Sequence, residues 1–286
     1  MITKEFQIKL PKHGITLSVV HRPGRSPSPI LALHGWLDNA NSFELLARQM
    51  PDHDIYALDF AGHGNSQHLP TSTTYSMLEY VSHIHEVVNV MNWQQFNLLG
   101  HSLGACVASL YAGTFPGRIS RLALLEGIGP LTREAQEVPE AFAKYIDKRI
   151  SGHSKLPYYE SKDSALAARI AAAKISSKGA ALLVERGLIK KDAYYYWKTD
   201  PRLTLPSPHR LTESQVLAFL SQIKAPSILI KAEDGYLNER DTIAARCNAV
   251  KNLKVIELPG AHHLHFDIPE KIAAILSPFY NNTSTQ

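Results

Sequence analysis

Short apolar runs recur along the chain, separated by helical or turn-rich sequence. Residues 30–33, 55–59, 96–99 and 122–126 are nearly uninterrupted Ile, Leu, Val, Ala or Phe. Such runs suit strands buried on both faces of a parallel sheet. Residues 6–10 and 15–21 flank Pro11-Lys12-His13-Gly14, which predicts a hairpin. Between the runs, residues 42–50 read as a helix, and 76–92 carry a helical stripe of Met77, Val81, Ile84, Val88 and Met91. The rhythm of strand, helix, strand implies a mainly parallel sheet with helices on both sides. From about 129 to 222 no strand is evident, and Ala-rich segments at 164–175 and 179–186 predict helices. Thr212 and Gln215 form a capping box for a helix running to 223. Strands at 227–231 and 253–258 then resume the sheet, and a last helix starts at Pro269 and buries Ile272, Ile275, Leu276 and Phe279. The polar tail at 281–286 reads as frayed.

Composition narrows the function classes. With 286 residues, 44% hydrophobic and 20% charged, the chain has material for one large α/β domain or a domain with an inserted lid. A formal charge of +4 without a Lys/Arg run argues against nucleic acid as a partner. Cys106 and Cys247, the two cysteines, offer neither a disulfide framework nor a thiolate metal site, and Cys106 reads as a small core residue. No run reaches the length of a membrane span and the start lacks a secretory h-region, so a cytoplasmic location is the expectation.

Candidate chemistry centres on Gly100-His101-Ser102-Leu103-Gly104, a G-x-S-x-G between an apolar run and a small-residue helix opening. That context describes a nucleophile elbow, whose turn holds the serine in a strained conformation above the strand ends. A serine hydroxyl needs a base to take its proton and a third group to orient the base. The elbow fold takes these in the order nucleophile, acid, histidine. Ser102, Asp234 and His262 satisfy that order, each just after a predicted strand. Glu126, at the end of the strand after the elbow helix, is the alternative acid. The cluster His262-His263-Leu264-His265 lacks an H-E-x-x-H or a second ligand cluster, so no metal is expected there. His83 and His85 fall off the helical stripe, and an H-x-H on a helix points its rings to different faces; they read as solvated surface. An oxyanion hole needs the backbone N–H of Leu103 and one from the loop His34-Gly35-Trp36, for which Trp36 is the candidate. His34, His101, Trp197 and His263 are candidate pocket residues. The run Tyr194-Tyr195-Tyr196-Trp197 fits equally a pocket wall or glue between lid and sheet.

These elements together resemble the α/β-hydrolase superfamily and, within it, the serine hydrolase-like family. The resemblance is carried by His34 to Phe43, by Asp59-Phe60-Ala61-Gly62-His63-Gly64-Asn65-Ser66, and by Gly100 to Gly104. Ala232-Glu233-Asp234-Gly235-Tyr236, and Gly260 to His265 with Pro269-Glu270, extend it over nearly the whole chain, and Thr199-Asp200-Pro201-Arg202-Leu203 continues it inside the lid. It implies a mostly parallel eight-stranded sheet flanked by helices, with a helical lid after the sixth strand. The core would be 1–128 and 223–286 and the lid 129–222. It also implies ester hydrolysis through an acyl-enzyme, without a cofactor, on a small-molecule acyl substrate. One departure stands out: relatives commonly carry glycine where Lys231 stands, which brings Glu233 into play beside Asp234. The same triad serves C–C bond hydrolases, thioesterases and acyltransferases, and a non-catalytic ligand-binding member is the alternative from a different class. Acyl-chain length and oligomeric state are open at this level.

Overall fold

Backbone pairing joins the apolar runs into one sheet. The chain opens with an antiparallel hairpin, β1 (Lys4–Leu10) and β2 (Ile15–Arg22). β3 (Ile30–Leu33), α1 (Glu44–Arg48), β4 (Ile55–Leu58), α2 (Met77–Val90), β5 (Phe96–His101), α3 (Leu103–Thr114) and β6 (Ile119–Leu125) follow. An insertion carries α4 (Val138–Ser151), β7 (Tyr158–Tyr159), α5 (Lys162–Ala173), α6 (Ser177–Gly187), β8 (Leu188–Lys191), β9 (Tyr194–Trp197) and α7 (Glu213–Ser221). The chain closes with β10 (Ser227–Asp234), α8 (Ile243–Ala249), β11 (Leu253–Ala261), α9 (Leu264–Asp267) and α10 (Pro269–Asn281). This computed structural model describes residues 2–152, 156–173, 175–238 and 241–281; the tail beyond Asn281 lies outside them.

The strand order is β1-β2-β4-β3-β5-β6-β10-β11, an eight-stranded sheet parallel throughout except at β1/β2 and β2/β4. β3 and β5 are buried along their whole length, and β6 at every position but Ser120, between two apolar layers, which explains their largely apolar sequence. One layer packs α2, α3, α7 and α8 on the sheet, and the other packs α1 and α10. Each fully buried Ile, Leu or Val contributes about 1.5–3 kcal/mol of transfer free energy. The insertion differs from the all-helical expectation. Tyr194–Trp197 is the middle strand of a three-stranded antiparallel sheet, β7-β9-β8. A run of aromatic residues favours strand over helix, and this one is too short to reveal a period unaided. α7 packs directly on α3: a Cβ on Gly113 would lie 2.2 Å from the Phe219 carbonyl oxygen.

Ion pairs from Arg186 and Arg169 tie the insertion to the core. Arg186 of α6 places Nε and Nη2 2.9 and 2.7 Å from Asp59 Oδ2, and Nη2 also reaches Glu5 at 2.9 Å. Asp59 has no exposure and accepts two further backbone N–H groups, from Ala40 and Asn65. Burial alone would raise the Glu5 carboxyl, but bonds from Arg186, Asn65 and Ser18 hold it down at about 2. Arg169 of α5 pairs with the buried Asp38. Removing one partner of a buried pair strands the other charge in low dielectric, at a cost of about 3–5 kcal/mol. Arg186→Met is therefore expected to lower unfolding free energy by about that much in urea titrations. A loss below about 1 kcal/mol would mean that water relaxes around Asp59 and the pair is no anchor.

Candidate active site

The elbow forms because three backbones crowd one point. Ser102 sits between β5 and α3 with φ 52° and ψ −113°, a region that costs a non-glycine residue about 1–3 kcal/mol. A Cβ on Gly104 would lie 1.9 Å from the Leu33 carbonyl oxygen, and one on Gly100 would lie 2.5 Å from that of Gly104. The glycines let α3 start directly against the ends of β3 and β5. The serine hydroxyl then stands at the carboxyl end of the sheet.

His262 follows β11, and its Nε2 lies 2.9 Å from Ser102 Oγ. Its Nδ1 lies 3.2 Å from Glu126 Oε2. Glu126 is 2% exposed and is the residue after β6, the strand between β5 and β10. Its φ of +50° turns the side chain across the strand ends, and Glu126 Oε1 accepts the Ala232 N–H at 2.7 Å. A Cβ on Gly235 would lie 2.3 Å from Glu126 Oε2, so the glycine after Asp234 leaves the space that the glutamate carboxylate fills. Asp234 itself is exposed at the end of β10. The geometry thus places Glu126, the alternative acid, and not Asp234 beside His262. The reason lies in register: Ile230 pairs with Leu125, so Glu126 is level with Lys231. Asp234 stands three residues further along, roughly 10 Å at strand rise.

Other expected site residues take different places. Trp36 and Leu103 line the same ≈470 Å³ cavity as Ser102, Glu126 and His262. His34, His101, His263 and Trp197 do not line it. His34 is buried behind the loop that it shapes: Nε2 accepts the Phe60 N–H at 3.1 Å, so Nδ1 donates to the Gly35 carbonyl at 2.7 Å. Burial lowers its pKa to about 4, which keeps it neutral. His101 Nε2 donates to the His262 carbonyl at 2.9 Å and so fixes the loop of the catalytic candidate. Burial, then the neighbouring His265, His262 and His263, push His101 well below the usual histidine range. His263 lies 3.7 Å from Asp38 Oδ2. Burial would raise Asp38, but His263, Arg169 and His101 hold its carboxyl far below the ordinary value. Trp197 packs edge-on to Tyr159 and over Gly187, inside the insertion.

The cavity is closed by residues that the sequence did not mark as pocket lining. Met77, Ile128, Leu131, Leu205, Pro206 and Leu237 give it apolar walls, and Tyr236 lies against the His262 ring at 4.4 Å between centroids. Cys106, expected in the core, is half-buried on the cavity wall and donates Sγ–H to the Gly129 carbonyl at 3.0 Å. Arg246 borders the cavity with its charge already engaged, by Glu213 at 2.6 and 2.8 Å and by the carbonyls of Ile128 and Gly129. Such walls come from loops and from the insertion, and no local motif marks them. No helix among the described residues is long and apolar enough to cross a membrane.

Comparison with known proteins agrees with this architecture. A family model described as the alpha/beta hydrolase fold matches residues 28–269. A probable serine hydrolase of Drosophila melanogaster is 32% identical, over 94% of this chain and 85% of that one. A serine hydrolase-like protein of Danio rerio is 30% identical, over 88% of this chain and 81% of that one. A crystal structure of a hypothetical protein from Pseudomonas aeruginosa PAO1 superposes with a TM-score of 0.92 at 38% identity, covering 98% of this chain and 100% of that one.

Proposed function

Because the chain belongs to the alpha/beta hydrolase fold family and, within it, to the serine hydrolase-like proteins, we propose that it cleaves small to medium carboxylic esters on a Ser102–His262–Glu126 triad. The observation that carries this reading is the unbroken hydrogen-bond chain from Ser102 Oγ through both ring nitrogens of His262 to Glu126. Glu126 accepts from Nδ1–H and so leaves the Nε2 lone pair facing the serine, the tautomer that a general base requires. His262 takes the hydroxyl proton as Oγ attacks the ester carbonyl carbon. The oxyanion rests on the backbone N–H groups of Leu103 and Trp36, each worth about 3–4 kcal/mol in a site that excludes water. The proton then passes to the departing alcohol, and a water activated by the same imidazole releases the carboxylic acid. Localisation in the cytoplasm fits the two unbridged cysteines, Cys106 and Cys247.

The substrate follows from the walls. The cavity volume lies within the ordinary range for small-molecule sites, and its lining is mainly apolar, with Arg246 neutralised by Glu213 and Arg210 also on the wall. The apolar part of the wall suits an aliphatic acyl chain. The test is a series of p-nitrophenyl esters of increasing acyl length. kcat/KM is expected to rise about fourfold per methylene, the equivalent of about 0.8 kcal/mol, until the chain outgrows the cavity and the rate collapses. A flat profile would remove the aliphatic walls as the acyl site. Thioesters of the same chain lengths, run in parallel, discriminate a thioesterase from an esterase.

A further inference from the structure

Away from the cavity, the turn between β1 and β2 meets the first two turns of α2. His83 was expected on a solvated face, yet it is 1% exposed and lies under that turn, its ring edge-on to His13 at 4.6 Å. Neither of its ring nitrogens has a hydrogen-bond partner among the described residues. A buried imidazole without a partner is costly, and native structures rarely leave one so. His83 Nε2 faces Glu79 Oε1 at 3.4 Å, and His13 Nε2 faces the same oxygen at 3.9 Å. The three ligand atoms lie within 4.8 Å of one another. His85, by contrast, stacks on Phe115 on another side of the helix.

We propose that His13, Glu79 and His83 form a binding site for a divalent transition-metal ion of the zinc class, joining the β1–β2 turn to α2. Two imidazoles and one carboxylate suit such an ion, with the fourth position left to water. Bonds of about 2.0–2.1 Å put tetrahedral ligand atoms roughly 3.4 Å apart. The His83–Glu79 pair already has that spacing. The His13 contact closes by rotation of two side chains that are partly exposed, 18% for His13 and 38% for Glu79. Glu86 completes the arrangement. It accepts from His13 Nδ1 and from the backbone N–H of Lys12 at 2.7 Å, which fixes the proton on Nδ1 and turns the Nε2 lone pair toward Glu79. A carboxylate behind a ligating histidine is the usual supporting contact at zinc sites. His13 Nε2 meanwhile accepts from Ser82 Oγ at 2.8 Å, a bond that the ion would replace. The ion would pin the start of α2, the helix that brings Met77 to the cavity wall.

The test uses untagged protein stripped with a chelator and titrated with zinc chloride by calorimetry, alongside thermal unfolding. Wild type is expected to bind one ion at micromolar affinity or tighter and to gain on the order of 5 °C in Tm at a hundredfold excess over Kd. His13→Asn and Glu79→Gln, both at partly exposed positions, are each expected to weaken this site at least tenfold while keeping the metal-free Tm of wild type. His262→Ala, which removes the histidine facing Ser102, is expected to retain the site. Equal zinc affinity in wild type, His13→Asn and Glu79→Gln would overturn the assignment, as would the absence of saturable binding to wild type. Loss of the site in His262→Ala alone would place the zinc at the cavity and overturn it equally.

Discussion

Glu126→Gln is expected to lower kcat on a p-nitrophenyl ester by about 10³–10⁴-fold, whereas Asp234→Asn leaves it at the wild-type value. The amide is isosteric, so the side chain keeps its place under Gly235 and the Ala232 N–H keeps an acceptor. What changes is the partner of His262 Nδ1. A neutral amide neither holds the imidazole in the productive tautomer nor stabilises the imidazolium that forms as Ser102 attacks. Asp234 is exposed, and its charge is screened by solvent. Steady-state kinetics on the two variants decide the matter. If Asp234→Asn is the slower enzyme, the insertion or a loop rearranges in the working state and the Glu126 contact belongs to a resting one.

Ser102→Ala carries the larger loss, about 10⁶-fold in kcat, because removal of the nucleophile leaves only binding and oxyanion stabilisation. A fluorophosphonate probe is expected to label wild type and leave this variant unlabelled. Alanine at φ 52° keeps the backbone strain of the serine, so Tm should be nearly unchanged. Labelling that persists in Ser102→Ala would put the nucleophile elsewhere. A folded wild type that neither labels nor turns over any ester would instead favour a ligand-binding protein on the same fold, the reading that the hydrogen-bond chain at Ser102 argues against.

The two acids mark where the sequence stopped being informative. The elbow was legible because Gly100 and Gly104 answer to local crowding, and crowding leaves glycines at fixed spacing. His262 was legible from its position after the last apolar run. Choosing between Asp234 and Glu126 needed the level at which β10 pairs with β6, a non-local quantity that no spacing along the chain encodes. A signal was nevertheless present: Gly235 sits where a strand-end loop passes another group closely, and that group is the Glu126 carboxylate. The central parallel strands β3, β5 and β6 could be read for the reason they are apolar, burial on both faces. β7, β8 and β9 could not, since their 2 to 4 residues hold at most two repeats of the strand alternation and lack the apolar run that marks β3 and β4 at the same length. His83 was misplaced because amphipathic reasoning gives a helix one buried stripe. α2 has a second contact, the β1–β2 turn, that buries the flank of the stripe.

The ion pairs under the insertion bear on how this architecture diversifies. Hydrolases of one core are often imagined as a fixed chassis on which substrate-covering segments are swapped at will. Here two arginines of the segment, Arg186 and Arg169, end on carboxylates that the core has buried for them, Asp59 and Asp38. Asp38 also lies 3.8 Å from His101, whose other nitrogen holds the His262 carbonyl. A chimera grafting a foreign segment between β6 and β10 would inherit two orphaned anions, one of them next to the histidine it must not disturb. Successful exchange would have to carry Arg169 and Arg186 along, or neutralise their partners in the same step.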